Sequence, residues 1–215
     1  GAGVIAISRS GSGYTVATVQ GEQINAEKII LAFPAYAAAA ATRVLSPGLS
    51  NALADIPYVE LAVMCVGYRR EQVGHDLNGF GFLVPPNSGR RVLGCLWTST
   101  LFPGRAPEGH VQLRIMLGGA FDPAAVDLSD EELLHIIRKE IHPVLAISGE
   151  PVFGRVFRHR RAIPQYTLQH GSVLAQIETA LAKLPGFALA GNAYHGVGLN
   201  DCVVSARAAA RFLTE

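Results

Sequence analysis

Nucleic acid would find little to hold in this chain. Its 215 residues carry a formal net charge of +1, so no surplus of Lys and Arg exists to neutralise a run of phosphates. Cysteine is as sparse: Cys65, Cys95 and Cys202 stand far apart, with no CxxC pair and no Cys/His spacing for zinc. That excludes a disulfide framework and points to buried thiols in a reducing, cytoplasmic setting. Long apolar runs are missing too. The greasiest, residues 29–41, is interrupted by Pro34 and falls short of the roughly 20 residues that span a bilayer, which leaves room only for peripheral membrane contact. No signal peptide is visible, and the chain opens on Gly1-Ala2-Gly3 without Met, as a processed or separately expressed piece would. There is no internal repeat. Nor is there a Ser-His-Asp arrangement, a metal box or a carboxylate pair that would make a side chain the nucleophile.

With hydrophobic residues at 49% and charged residues at only 16%, the chain is globular and has enough material for one large core or two small ones. Its most informative stretch is residues 186–215. Phe187-Ala188-Leu189-Ala190 is a short apolar run between Gly186 and Gly191, which predicts a buried strand. Gly196, Gly198 and Asn200 then make a turn, and Asp201 opens a segment with Val203, Ala206, Ala210 and Leu213 at helical spacing. A strand, a glycine loop and a helix start bring free N–H groups and the positive end of a helix dipole to one point, where a phosphate or an electron-rich carbonyl is favoured. A small-residue loop packed against a neighbouring strand would give the same pattern. His195, within the loop, is the acid/base candidate, although a histidine there can equally serve by bonding the backbone.

Residues 4–33 predict a small β-unit with turns at Ser10–Gly13 and Gly21-Glu22, then an apolar strand over 28–33 that Pro34 stops, and an alanine-rich helix over 35–44. Ser46 to Pro57 holds Pro47, Gly48 and Pro57 and reads as a crossing into a second module. Four β-like runs follow, at 61–68, 81–84, 92–98 and 111–117; short turns between them imply an antiparallel sheet. Ser129-Asp130-Glu131-Glu132 is a capping box ahead of the apolar stripe Leu133, Ile136, Ile137, Ile141. A strand over 152–157 ends in the basic run Arg158-His159-Arg160-Arg161, read either as a solvated strand end or as a rim that attracts carboxylates. A helix over 171–184 leads back to the strand, loop and helix of residues 186–215, and the fold class is α+β.

Several segments, in this order and spacing, carry a resemblance: Gly79–Pro85 (GFGFLVP), Leu93–Ser99 (LGCLWTS), Phe102–Arg105 (FPGR), Met116–Gly119 (MLGG), Ala162–Tyr166 (AIPQY), and Ala190-Gly191-Asn192 through Asp201-Cys202. Together they resemble the oxygen-dependent protoporphyrinogen oxidases, FAD enzymes of haem synthesis that share a fold with monoamine oxidase. The resemblance covers essentially the whole chain. It implies a C-terminal portion of such an enzyme, because a full-length member begins with a strand and a G-x-G-x-x-G turn for the FAD diphosphate. Residues 1–45 and 185–215 would then be pieces of a Rossmann-like FAD domain, and 46–184 would belong to an antiparallel-sheet substrate domain with helices on one face. The missing N-terminal half would lie elsewhere in the same protein or in a second chain.

The same resemblance implies roles for particular residues. Val4 falls where the family places a backbone group beside adenine, and Gly191 and Asn192 where it turns beside the diphosphate and ribityl chain. Gly196, Val197, Gly198, Leu199 and Asp201 match the loop and helix start under the flavin, with the Leu199 N–H facing the pyrimidine carbonyl. Leu83, Leu96 and Met116 match apolar positions lining a tetrapyrrole pocket, and Arg158, Arg160 and Arg161 are candidates for its propionates. The chemistry implied is oxidation of a protoporphyrinogen or coproporphyrinogen macrocycle by FAD with dioxygen as acceptor. The alternatives are another flavin amine oxidase or desaturase, or a fragment that only binds. Gly198 stands where amine oxidases of this fold place an aromatic cage residue, which weakens the first of these.

Overall fold

The computed structural model describes residues 2–214. Two compact units are formed, Gly1–Tyr58 with Pro164–Glu215, and Val59–Ile163. The first begins with an antiparallel meander of β1 (Val4–Ser10), β2 (Gly13–Thr18) and β3 (Gln23–Ala26). Ser10 pairs with Gly13 across a two-residue loop in which Gly11 takes a φ of 57°, the left-handed conformation that such tight hairpins need. Ile7 and Tyr14 point inward, and the Tyr14 hydroxyl donates to the Pro185 carbonyl at 2.7 Å. β4 (Ile29–Leu31) follows, then α1 (Ala35–Thr42) and α2 (Pro47–Ala54).

Residues 46–57, read as a crossing into a second module, form a helix of the first unit, and the second unit begins at Val59. Pro47 is the first residue of α2, where its missing N–H costs nothing, and Ser46 caps the helix by accepting from the Leu49 N–H at 3.3 Å. Leu49 and Leu53 are wholly buried in the core that includes Ala35, Ala38 and Ala39. The alanine face lets the helices approach until the Ser50 hydroxyl donates to the Ala39 carbonyl at 2.7 Å.

Unit Val59–Ile163 contains β5 (Tyr58–Arg69), β6 (Gly81–Leu83), β7 (Val92–Leu96), a short α3 (Thr98–Leu101), β8 (His110–Gly118), α4 (Asp130–Glu140), α5 (His142–Leu145) and β9 (Phe153–Pro164). The sheet order is β6-β7-β8-β5-β9, and the pairs β6–β7, β7–β8 and β8–β5 are antiparallel. The α4 capping box forms as its sequence predicts, Glu132 accepting from the Ser129 N–H at 2.8 Å while Ser129 accepts from the Glu132 N–H at 3.2 Å. Leu133, Ile136, Ile137 and Ile141 pack on Met64, Cys95, Ile115 and Leu117, so this helix covers one face of the sheet. Glu140, at its end, is buried and accepts from the N–H groups of Arg91 and Val92 at 3.1 Å, which pins the start of β7.

The chain then returns through α6 (His170–Leu181), β10 (Phe187–Leu189) and α7 (Leu199–Thr214). β10 runs parallel to β4, Phe187 opposite Ile29 and Leu189 opposite Leu31. The compact units divide after Tyr58 and after Ile163. α2 and α6 lie against each other, and Val173 and Ile177 of α6 share the alanine-rich core.

Candidate functional site

The parallel pair β4 and β10 ends at Leu31 and Leu189, and a cavity of about 390–430 Å³ opens on either side of the following segment. The cavity of about 430 Å³ is walled by residues 32–34 after β4, residues 190–194 after β10, and Cys202 and Ala206 of α7. A crevice beyond the carboxyl ends of parallel strands is where ligands bind in open α/β sheets. Gly191 has a φ of 129°, and nothing lies within 4 Å of where its Cβ would stand, so its backbone is open to close approach. Its N–H donates to the Ser205 hydroxyl at 3.1 Å. The Tyr194 hydroxyl is buried without a hydrogen-bond partner among the described residues, and burial pushes its pKa far above the ordinary tyrosine value.

The loop beyond Gly191 is held by two side chains that local sequence patterns do not reveal. Tyr166 donates from its hydroxyl to the Asn192 carbonyl at 2.9 Å and accepts from the Gly196 N–H at 2.7 Å. Its ring stacks on His170, 4.0 Å between centroids and 11° from parallel. His170 is buried, with Nε2 3.1 Å from the Tyr194 carbonyl; since a carbonyl only accepts, that nitrogen carries the proton. The sequence signal at this position is the segment Ile163-Pro164-Gln165-Tyr166, whose resemblance specifies no contact.

α7 starts in the way its sequence suggests. The Cys202 N–H donates to the Gly198 carbonyl at 3.1 Å, and the Asp201 carboxylate reaches back to the Gly198 N–H at 3.0 Å, one half of a capping box. Gly196 has a φ of 138°, and a Cβ there would sit 2.4 Å from Asp201 Cγ. Gly198 does not take a left-handed φ; a Cβ there would stand 2.9 Å from Asp201 Oδ2. Space, not backbone conformation, therefore selects Gly198. Val197 and Leu199 are exposed on this rim, and the first-turn N–H groups of Leu199 and Asn200 have no hydrogen-bond partner among the described residues. Not every sequence-predicted residue joins them. Val4 lies on β1, in the other sheet of this unit, and is no part of the cavity wall. His195 instead lines the separate groove of about 390 Å³ with Leu174, Ile177, Glu178 and Phe212.

In the unit Val59–Ile163, strand register settles which residues share a face. Leu83 pairs with Gly94, Gly94 with Met116, and Met116 with Val63, while Leu96 pairs with Arg114. Because alternate residues point the same way, Leu83, Leu96 and Met116 stand on one face, opposite that covered by α4. Beside them lies a cavity of about 420 Å³ lined by Val63, Phe102, Phe153 and Phe157 together with Arg105, Arg114, Arg155 and His159. The basic run of β9 is divided by the same alternation. Arg158 turns to the helix side, donating to the carbonyl of Val126 at 3.1 Å and to Asp130 at 2.7 Å, and Arg160 pairs with Asp127 at 2.7 Å. These two are structural ion pairs and not rim cations. Arg161 also has an interaction partner.

The sequence pattern of flavin containing amine oxidoreductases matches residues 1–213. The chain belongs to this family. It is 33% identical over 210 residues to the coproporphyrinogen III oxidase of Bacillus subtilis (strain 168), covering 97% of this chain and 44% of that protein. It is 31% identical over 158 residues to protoporphyrinogen oxidase 2, chloroplastic/mitochondrial, of Arabidopsis thaliana, covering 72% and 31%. A crystal structure of a candidate protoporphyrinogen oxidase from Exiguobacterium sp. 255-15 superimposes with a TM-score of 0.79 at 26% identity, over 100% of this chain and 47% of that one. Reduced UDP-galactopyranose mutase shares the fold, with a TM-score of 0.63 at 13% identity over 87% and 40%. The chain thus spans less than half the length of the curated relatives it matches.

A member of the flavin amine oxidoreductase family carries a flavin, and the first unit fits part of one. Gly191 leaves an open cradle where a side chain would stand, and the α7 start offers backbone donors and the positive end of a dipole to a carbonyl or phosphate. Among the described residues, no group of three or more His, Cys, Asp or Glu could hold a metal. No helix among them is long and apolar enough to cross a membrane.

Proposed function

We infer that this chain is the C-terminal part of an FAD-dependent oxidase of protoporphyrinogen or coproporphyrinogen in haem biosynthesis. The observation that carries the reading is the glycine loop at the carboxyl ends of β4 and β10, with open backbone at Gly191 and a free helix start at Leu199. In this reading Gly191 and Asn192 face the diphosphate and ribityl chain, Val4 meets the adenine end, and Gly196, Val197, Gly198, Leu199 and Asp201 form the rim below the ring. When bound, FAD supplies the redox chemistry, removing hydrogen from the macrocycle with dioxygen as the final acceptor. The chain's own part is to bind and orient. The Leu199 N–H and the α7 dipole favour negative charge on the pyrimidine side, Asp201 holds the turn, and Leu83, Leu96 and Met116 offer a flat apolar surface from three strands.

The rest of the flavin site comes from residues outside this chain, in the same polypeptide or a second one. The free cysteines Cys65, Cys95 and Cys202 support a reducing, cytoplasmic location, with any membrane contact peripheral. A polypeptide spanning the full length of the relatives and containing this chain should purify yellow and turn a porphyrinogen into fluorescent porphyrin, releasing peroxide. The 215 residues alone should retain little FAD through gel filtration. A yellow full-length protein that oxidises neither porphyrinogen would sink the substrate assignment, and stoichiometric FAD on the short chain would sink the division of the site.

A further inference from the structure

The open face of the sheet carries charges that its apolar residues do not explain. Arg105, Arg114 and Arg155 all line the cavity of about 420 Å³, whose wall contains no Asp or Glu. Among the described residues none of the three has an ion-pair partner. That contrasts with Arg91, Arg138, Arg158 and Arg160, each of which pairs with a carboxylate. Three like charges around one hollow repel one another, and the entry of anions lowers the energy of the arrangement. The guanidinium groups are also positioned. Arg155 lies 5.0 Å over the ring of Phe157 and Arg105 lies 5.6 Å over that of Phe102, while strand pairing sets the backbone of Arg114 between Leu96 and Cys65. α3 closes one end of the hollow, since the Gln112 N–H donates to the Ser99 hydroxyl at 2.9 Å and Thr98 donates to the Gln112 carbonyl at 3.1 Å.

The geometry points to a carboxylate-binding set: Arg105, Arg114 and Arg155 take separate carboxylates of an apolar, multiply charged ligand that lies against Val63, Phe153 and Phe157. Each arginine presents a planar fork that matches a carboxylate with two hydrogen bonds. The site therefore ranks ligands of one shape by their number of carboxylates. Leu96 stands directly opposite Arg114, and Met116 opposite Val63, so a tetrapyrrole on the apolar row extends its propionates toward these cations. This rests on the porphyrinogen reading for the identity of the ligand and not for the existence of the anion site.

The test is a fluorescence titration of the 215-residue chain, and of the full-length polypeptide, with coproporphyrin III, a tetracarboxylate, and protoporphyrin IX, a dicarboxylate. At low salt the tetracarboxylate should bind about tenfold or more tightly, and roughly 1 M NaCl should remove most of the difference. Arg114→Gln or Arg155→Gln should each weaken coproporphyrin binding by about three- to tenfold and protoporphyrin binding by less. Arg→Lys at the same positions should restore part of it, which loss of folding would not allow. Equal affinity for the two porphyrins, or Gln variants indistinguishable from the parent by titration, overturns the proposal. Failure to bind either porphyrin also overturns it, while leaving flavin retention and redox activity to decide the oxidase reading on their own.

Discussion

Tyr166→Phe removes one oxygen atom and leaves the ring stacked on His170, so it isolates what the hydroxyl does for the loop. That oxygen makes two hydrogen bonds, accepting from the Gly196 N–H at 2.7 Å and donating to the Asn192 carbonyl at 2.9 Å. Each is worth about 0.5–1.5 kcal/mol net. Tyr166 is 42% exposed, and water can reach the groups left behind, so the pair should contribute about 1–2 kcal/mol to the closed loop and not the full sum. Losing that raises the population of open loop by a factor of about 5–30. Hydrogen–deuterium exchange reads this directly: the Gly196 amide should exchange about 5–30 times faster, with the amides of α4 unchanged as an internal reference. Tyr166→Ala, which also takes away the stacking, should open the loop further and expose His170. In a full-length, flavin-loaded protein the Phe variant should lose flavin faster on dilution, because the loop must then be ordered at the moment of binding. Unchanged exchange at Gly196 in a folded Phe variant would refute the clamp, and the loop's shape would then belong to its glycines alone.

Gly196→Ala should lower stability by about 1–3 kcal/mol, since a left-handed backbone and a 2.4 Å clash with Asp201 coincide there, whereas Gly198→Ala meets only the tip of the same side chain at 2.9 Å and should cost under about 1 kcal/mol; thermal melts of the two compare them. Met116→Glu in the full-length polypeptide should raise the porphyrinogen KM and leave flavin content intact, because it puts a carboxylate on the open face of the sheet and not in the α4 core; a colourless, poorly folded variant would show that Met116 is core. His142, hydrogen-bonded to the Tyr68 hydroxyl at 3.0 Å, is held below its ordinary 6.5 by burial. The unfolded chain therefore takes up the proton first, and stability should be level above pH 6.5 and fall as pH drops from 6.5 through the depressed folded value. His142→Gln should flatten that slope in denaturant titrations at several pH values.

What the sequence declares depends on the range of the interaction that does the work. The α4 start was legible because Ser129 and Glu132 are three residues apart and satisfy each other. The β1–β2 hairpin and the β10–loop–α7 unit were legible for the same reason, their glycines and caps lying beside the turns they make. α2 is hidden in the sequence because Pro47-Gly48 is a boundary signal and an N-terminal helix signal at once, and only the burial of Leu49 and Leu53 shows the helix. The clamp was invisible in local pattern. Tyr166 and His170 reach partners 30 and 24 residues away, and no periodicity ties a stacked pair at the start of α6 to a loop after β10.

The basic run of β9 shows the same limit from the other side. Read along the chain, Arg158-His159-Arg160-Arg161 is one patch, and a patch suggests a rim. In an extended strand successive side chains leave on opposite faces, so the run cannot act as one. Gly154 and Val156 meet Met64 and the α4 core, and they carry Arg158 and Arg160 to that side, where Asp130, Asp127 and Glu60 neutralise them. Phe153, Arg155, Phe157 and His159 go to the other face. The uncompensated charge there comes from Arg155, Arg114 and Arg105, which are 41 and 9 residues apart in sequence and meet only through the β8–β5–β9 order of the sheet. Charge available to a ligand is what remains after the fold has paired the rest, and that remainder depends on strand parity, which a continuous run of arginines hides.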